Sequence, residues 1–191
     1  MKKTVGFAIC ASHCNFSYIP KLLEELSEDY NVIPIMSFNA LNNDSKFNSA
    51  KDFKEKVEQL CSNKVLSSIA EVEPIGPGKL FDLLVICPCT GNTLAKIANA
   101  ISDTPVSMAF KSHTRNNRPT LLAISTNDGL SSNAKNIGRL LNTKNIFFVP
   151  FGQDDPDGKC NSLSFAKDSF SKAVKSALES RQLQPILRTL I

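Results

Sequence analysis

Along the chain, short apolar runs alternate with longer stretches in which apolar residues recur every three or four positions. Thr4 to Ala11 is a β-rich apolar run that gives way to a polar turn, Ser12-His13-Cys14-Asn15-Phe16-Ser17. Phe16, Ile19, Leu22, Leu23 and Leu26 then fall at helical spacing, with Ser17 as a cap and Pro20 in the first turn, so a helix is predicted to about Asp29. Asn31 to Ser37 reads as a second strand, and Phe38 to Ser45 as an Asn-rich loop. Phe47, Ala50, Phe53, Val57, Leu60 and Cys61 trace one face of a helix. Ser67 to Val72 reads as a short strand ahead of the turn cluster Pro74 to Gly78.

Asp82 to Cys87 is almost continuously apolar, as a strand covered on both faces must be. It stops at Pro88, and the polar turn Cys89-Thr90-Gly91-Asn92-Thr93 leads into a helix ending near Ile101. A further helix is predicted from Pro105 to about Thr114, then a strand from Thr120 to Ser125 and the polar turn Thr126 to Gly129. A helix carrying Ile137, Leu140 and Leu141, a strand from Asn145 to Pro150, a polar loop from Phe151 to Ser162 and a helix from Phe165 to Arg181 complete the order. This alternation predicts an α/β fold: a doubly wound parallel sheet flanked by helices, Rossmann- or flavodoxin-like. One domain is expected over residues 1–191, with 183–191 as a tail.

Composition narrows the function classes. Of 191 residues, 42% are hydrophobic and 21% charged, ordinary for a globular domain. The net charge of +4 is spread without a basic run, which argues against nucleic-acid binding. The longest apolar stretches are too short to span a bilayer, and the basic-then-apolar start reads as a first strand, so a cytoplasmic protein is expected. Six cysteines include no Cys-x-x-Cys pair, and there are two histidines, so no metal site is expected and the thiols read as packed and reduced. His113, late on a helix beside Arg115, reads as a surface residue.

A parallel sheet brings the turns that follow its strands to one edge, where ligands of such folds bind. Those turns hold Ser12 and His13, then Ser37, then Thr90, Gly91, Asn92 and Thr93, then Ser125, Thr126 and Asn127. Hydroxyls and amides with few charges suit a phosphate joined to a flat heteroaromatic ring; the same residue types also serve as caps and turn formers. Gly-x-Gly-x-x-Gly, Gly-x-x-x-x-Gly-Lys-[Ser/Thr] and Gly-x-Ser-x-Gly are all absent, which disfavours dinucleotide binding, nucleotide hydrolysis and serine-hydrolase chemistry. The Phe151–Ser162 loop is long enough to act as a lid, with Gln153, Asp154, Asp155 and Lys159 as candidate contacts, and the Arg115–Arg118 cluster is a candidate anion site.

Pro88-Cys89-Thr90-Gly91-Asn92-Thr93-Leu94-Ala95-Lys96-Ile97-Ala98, with Asp103 beyond it, resembles the Pro-x-[Ser/Thr]-x-Asn-Thr-x-x-Lys-x-Ala…Asp signature of the flavoprotein family. That family includes FMN-dependent cysteine decarboxylases and, more distantly, flavin prenyltransferases. A closer resemblance, to the branch formed by the B subunits of dipicolinate synthases, is carried by Glu73-Pro74-Ile75-Gly76-Pro77, Arg115-Asn116-Asn117-Arg118-Pro119, Ile124-Ser125-Thr126-Asn127-Asp128 and Thr143 through Pro156.

The resemblance implies FMN, a homo-oligomer built of trimers, and a partner A subunit that carries the nicotinamide (NADP) site. It implies a role in oxidising a dihydrodipicolinate-type intermediate during sporulation. By position it puts Ser12, His13, Ser37, Thr90, Gly91, Asn92, Thr93, Ser125, Thr126 and Asn127 at the flavin. His13 and Asn92 are the catalytic candidates, and Arg118, Gln153, Asp154 and Asp155 the substrate or lid candidates. The chain departs from the family in having Ala11 where glycine is usual and no histidine in residues 38–70, which weighs against cysteine decarboxylation. Decarboxylase or prenyl-transfer chemistry, and a cofactor-free binding protein whose tail docks a partner, are the alternatives.

Overall fold

The structure, a computed structural model, describes residues 2–12, 16–44 and 49–190. Strands β1 (Thr4–Ile9), β2 (Asn31–Met36), β3 (Leu83–Cys89), β4 (Thr120–Thr126) and β5 (Ile146–Phe148) pair in parallel in the order β2-β1-β3-β4-β5. Two short strands, β6 (Phe151–Gly152) and β7 (Leu163–Phe165), run antiparallel to each other, and β7 pairs antiparallel with the end of β4 at Ser125 and Thr126. The doubly wound parallel sheet therefore carries a small antiparallel extension at its carboxyl edge.

Alternate strand residues feed two apolar layers, as the two-residue period of a strand requires. Phe7, Val85 and Leu121 face one layer, with helices α1 (Ile19–Asp29), α3 (Ala50–Cys61) and α9 (Phe170–Leu178). Ala8, Leu84 and Leu122 face the other, with α6 (Gly91–Ala98), α7 (Pro105–Thr114) and α8 (Ala134–Leu141). Every residue of β3 is buried, which explains its near-continuous apolar run. The sheet register shifts between Ile86 and Cys89, so that Cys87 packs in the first layer and Cys89 in the second.

The structure corrects several sequence expectations. Phe38 to Ser45 begins with a helical turn, α2 (Phe38–Asn42), because Ser37 Oγ accepts from the Ala40 N–H. Ser67 to Val72 is helical at α4 (Ile69–Val72), where Ser68 and Glu71 form a reciprocal capping box; Leu66 alone bridges to Ile35. Pro74 to Gly78 contains a further helical turn, α5 (Ile75–Gly78). The last helix starts at Phe170 rather than Phe165, since β7 and a 3-10 turn (Lys167–Ser169) take up the intervening residues.

His113 is buried, not on the surface: its Nε2 lies 2.8 Å from the Pro119 carbonyl, and burial lowers its pKa from 6.5 to about 4. Lys96 and Asp103 of the family signature form a 2.6 Å ion pair, which ties α6 to the entry of α7 and accounts for their spacing.

Candidate functional site

The turns after β1, β3 and β4 converge on a cleft of about 860 Å³ at the carboxyl edge of the sheet. Ser12, Thr90, Ser125, Thr126 and Asn127 all line it. Ser12 and Ser125 come from turns 113 residues apart, yet their hydroxyl oxygens are 3.0 Å from each other. A second pocket of about 250 Å³ adjoins the cleft through Ala11 and Thr90; Ser37, Asn92 and Thr93 face it. His13 lies outside the described residues. The described candidates on the four turns thus fall on one edge.

Their roles within the edge differ. Ser37 caps α2 through its hydroxyl, while its N–H donates to the Ile9 carbonyl at 3.0 Å. Thr90 takes the N-cap position of α6 without capping it by side chain; its hydroxyl donates instead to Thr93 Oγ1 at 3.3 Å. The first turn of α6 therefore begins beside the second pocket, which Asn92 and Thr93 line, without a side-chain cap, an anion-attracting arrangement. Thr93 is buried, with its hydroxyl 3.1 Å from Cys10 Sγ, so it shapes the floor, and Asn92 is exposed at the rim.

A polar lattice stands behind these turns. Thr126 Oγ1 donates to Asp128 Oδ1 at 2.5 Å, and Asn133 Nδ2 donates to Asp128 Oδ2 at 2.8 Å. Asn136 Nδ2 donates to Asn133 Oδ1 at 2.8 Å, and Asn99 Nδ2 reaches Asn136 Oδ1 at 3.2 Å. Asn133 and Asn136 are buried, and pairing of their amides is what makes that burial tolerable. Gly91 packs onto this lattice: a Cβ there would lie 2.6 to 2.7 Å from Thr126 Oγ1, Asn133 Nδ2 and Asp128 Oδ1. The glycine is required for close packing of α6 against the β4 turn.

The lid and substrate candidates divide. Asp154 lines the cleft. Gln153 Nε2 donates to the Cys160 carbonyl at 2.8 Å, and Asp155 accepts from the Gly158 N–H at 3.0 Å, so both brace the loop itself. Arg118 is not at this edge: it precedes β4 at the amino ends of the strands, where it donates to the Lys79 and Phe81 carbonyls and faces Asp82. Its sequence neighbourhood of two arginines and two asparagines suggested an anion, but backbone carbonyls and Asp82 take up the guanidinium.

Cys10, Cys87 and Cys89 are buried, and burial pushes all three thiols up, which keeps them protonated and inert. Cys160 is exposed. Among the described residues, no three His, Cys, Asp or Glu side chains are grouped to hold a metal, and no helix is long and apolar enough to cross a membrane.

Sequence reasoning missed the far wall of the cleft. Ser164, Lys167 and Asp168 line it from β7 and the 3-10 turn, and Arg188, Thr189 and Leu190 line it from the tail. The tail is paired to the domain: Phe151 N–H donates to the Ile186 carbonyl and Arg188 N–H to the Phe151 carbonyl, each at 2.9 Å. Gln182 clamps both backbone groups of Phe148 at 2.8 Å. Alternation within residues 183–191 is too short to announce a strand, and its partner is more than thirty positions away.

An open parallel α/β sheet with hydroxyls and amides around an edge cleft is the arrangement at which folds of this class bind ligands. The chain belongs to the flavoprotein family, whose model matches residues 1–168. It is 44% identical over 186 residues to the B subunit of dipicolinate synthase from Bacillus subtilis (strain 168), covering 97% of this chain and 93% of that one. The crystal structure of the dipicolinate synthase B subunit from Bacillus halodurans C is similar throughout, with a TM-score of 0.90, 38% identity and 100% of each chain covered. The FMN-dependent cysteine decarboxylase SpaF shares the fold at a TM-score of 0.66 and 18% identity, over 93% of this chain and 95% of that one.

Proposed function

We propose that this chain is the flavin-binding half of a two-component enzyme that oxidises a dihydrodipicolinate-type intermediate of the lysine pathway to dipicolinic acid in the mother cell of a spore former. The observation that carries this reading is the end-to-end likeness to the B subunits of two dipicolinate synthases. The net change is loss of a hydride and a proton from the dihydropyridine ring to NADP, giving the aromatic dicarboxylate, NADPH and a proton. The chain has no Gly-x-Gly-x-x-Gly turn, so the nicotinamide belongs on a partner A subunit. A homo-oligomer built of trimers goes with the family.

The residues present fit FMN. The cleft lies within the size range of small-molecule sites and is rich in hydroxyls and amides, and the first turn of α6 offers N–H groups suited to a phosphate. Ser12, Ser37, Thr90, Gly91 and Thr93 would hold the phosphate side, and Ser125, Thr126 and Asn127 the ring. Bound there, FMN would supply a two-electron acceptor. Asn92 orients the reacting ring from the rim, His13 takes up the proton, and Asp154 guards the mouth.

Dipicolinate formation from dihydrodipicolinate and NADP, assayed with this chain alone, with its partner alone and with both mixed, tests the reading. Turnover is expected from the mixture only, and the purified chain is expected to show flavin absorption or to acquire it with added FMN. A colourless protein that ignores FMN removes the cofactor, and full turnover by the partner alone removes the role in catalysis.

A further inference from the structure

The tail brings a cation to the cleft that no turn of the parallel sheet supplies. Residues 186–188 lie alongside Phe151 as an additional strand segment. Gly152 permits this approach, since a Cβ there would sit 1.9 Å from the Arg188 carbonyl oxygen. Arg188 is held in place at its side chain as well: Nη1 donates to Ser169 Oγ at 2.8 Å, and Nη2 lies 3.3 Å from Asp168 Oδ2. Two contacts use part of a five-donor fork and fix its direction, so the remaining N–H groups are oriented in advance. The side chain is about one-third exposed and lines the same cleft as Ser12 and Ser125. Lys159 and Lys167 share that wall, so the positive groups there outnumber Asp154 and Asp168. The polar lining residues of the turns after β1, β3 and β4 carry hydroxyls and amides, and the charged lining residues come from the 151–162 loop, the 3-10 turn and the tail.

We infer that Arg188 is a specificity-determining residue that pairs with a carboxylate of a planar dicarboxylic acid in the cleft. This rests on the proposed function, which makes the substrate a dianion, and it names the group that reads one of the two charges. Arg–carboxylate pairs combine two parallel hydrogen bonds with charge, which discriminates an acid from its uncharged analogue. A ring that brings no carboxylate to the Arg188 side of the cleft forfeits this contact.

The probes are dipicolinate and its monocarboxylate analogue picolinate, titrated calorimetrically into the full chain with FMN present. The wild-type chain is expected to prefer dipicolinate at least tenfold. Arg188→Gln is expected to bring that ratio close to one while leaving the visible flavin spectrum and FMN affinity unchanged, and Arg188→Lys to give an intermediate ratio. A wild-type ratio retained in Arg188→Gln overturns the inference and leaves the proposed function standing; a wild-type chain that binds neither acid overturns both. A second measurement needs no variant. Dipicolinate, and not picolinate, is expected to shield Arg188 from phenylglyoxal, read by mass spectrometry, and unshielded labelling overturns the assignment.

Discussion

Gly91 shows how a signature residue proposed for a ligand site can also act through packing. Its Cα faces Thr126, Asp128 and Asn133 so closely that one added methyl overfills the space. Gly91→Ala is expected to cost about 1–3 kcal/mol, the usual penalty for overpacking, and to weaken FMN uptake by pushing α6 off the β4 turn. Urea midpoints and flavin absorbance check both effects. His113 gives the fold a pH limit. Its folded pKa of about 4 lies below the ordinary 6.5, with burial as the main cause, so the unfolded chain binds the extra proton between those values. Stability is therefore lost as pH falls through that window and is level above it, by about 3 kcal/mol in full. Unfolding at pH 5 and pH 7.5 is expected to differ in the wild type and to differ less in His113→Gln. Neither behaviour was legible beforehand: a glycine in a polar turn at a strand end reads as part of a ligand site, and a histidine beside an arginine reads as solvated.

At the scale of elements, the strand–turn–helix alternation was readable because burial on both faces forces apolar runs and helices repeat every 3.6 residues. The misread pieces are those in which local capping outweighs periodicity. Ser68 and Glu71 had the spacing of a capping box, yet the apolar residues around them suggested a strand. β6 and β7 are two and three residues long and exist through their partners, so no periodicity could reveal them. The tail, which docks a partner in the cofactor-free alternative, is paired with Phe151 of β6. Gly152→Ala is expected to expel it, because the new Cβ meets the Arg188 carbonyl. Limited trypsin digestion should then cut after Arg181 and Arg188 several times faster than in the wild type.

For the whole molecule, the cleft was legible in outline because a parallel sheet sends its turns to one edge, and three of the four turns meet there. The wall from Ser162 to Asp168 and the tail was not, since it depends on antiparallel pairing across the end of β4. With FMN at a hundredfold excess over its Kd, mass action is expected to stabilise the chain by about 2.7 kcal/mol. For a domain of this size that raises Tm by roughly 5–10 °C, measurable by calorimetry. The meeting of Ser12 with Ser125 has a kinetic consequence. The contact closes a loop of 113 residues and leaves β1 and β4 separated by β3, so it forms only after the central strands have docked. Helices can gather early from local sequence, but the cleft is a late product of refolding. Flavin quenching should accordingly trail the recovery of helical circular dichroism, which makes ligand capture a clock for completion of the native topology.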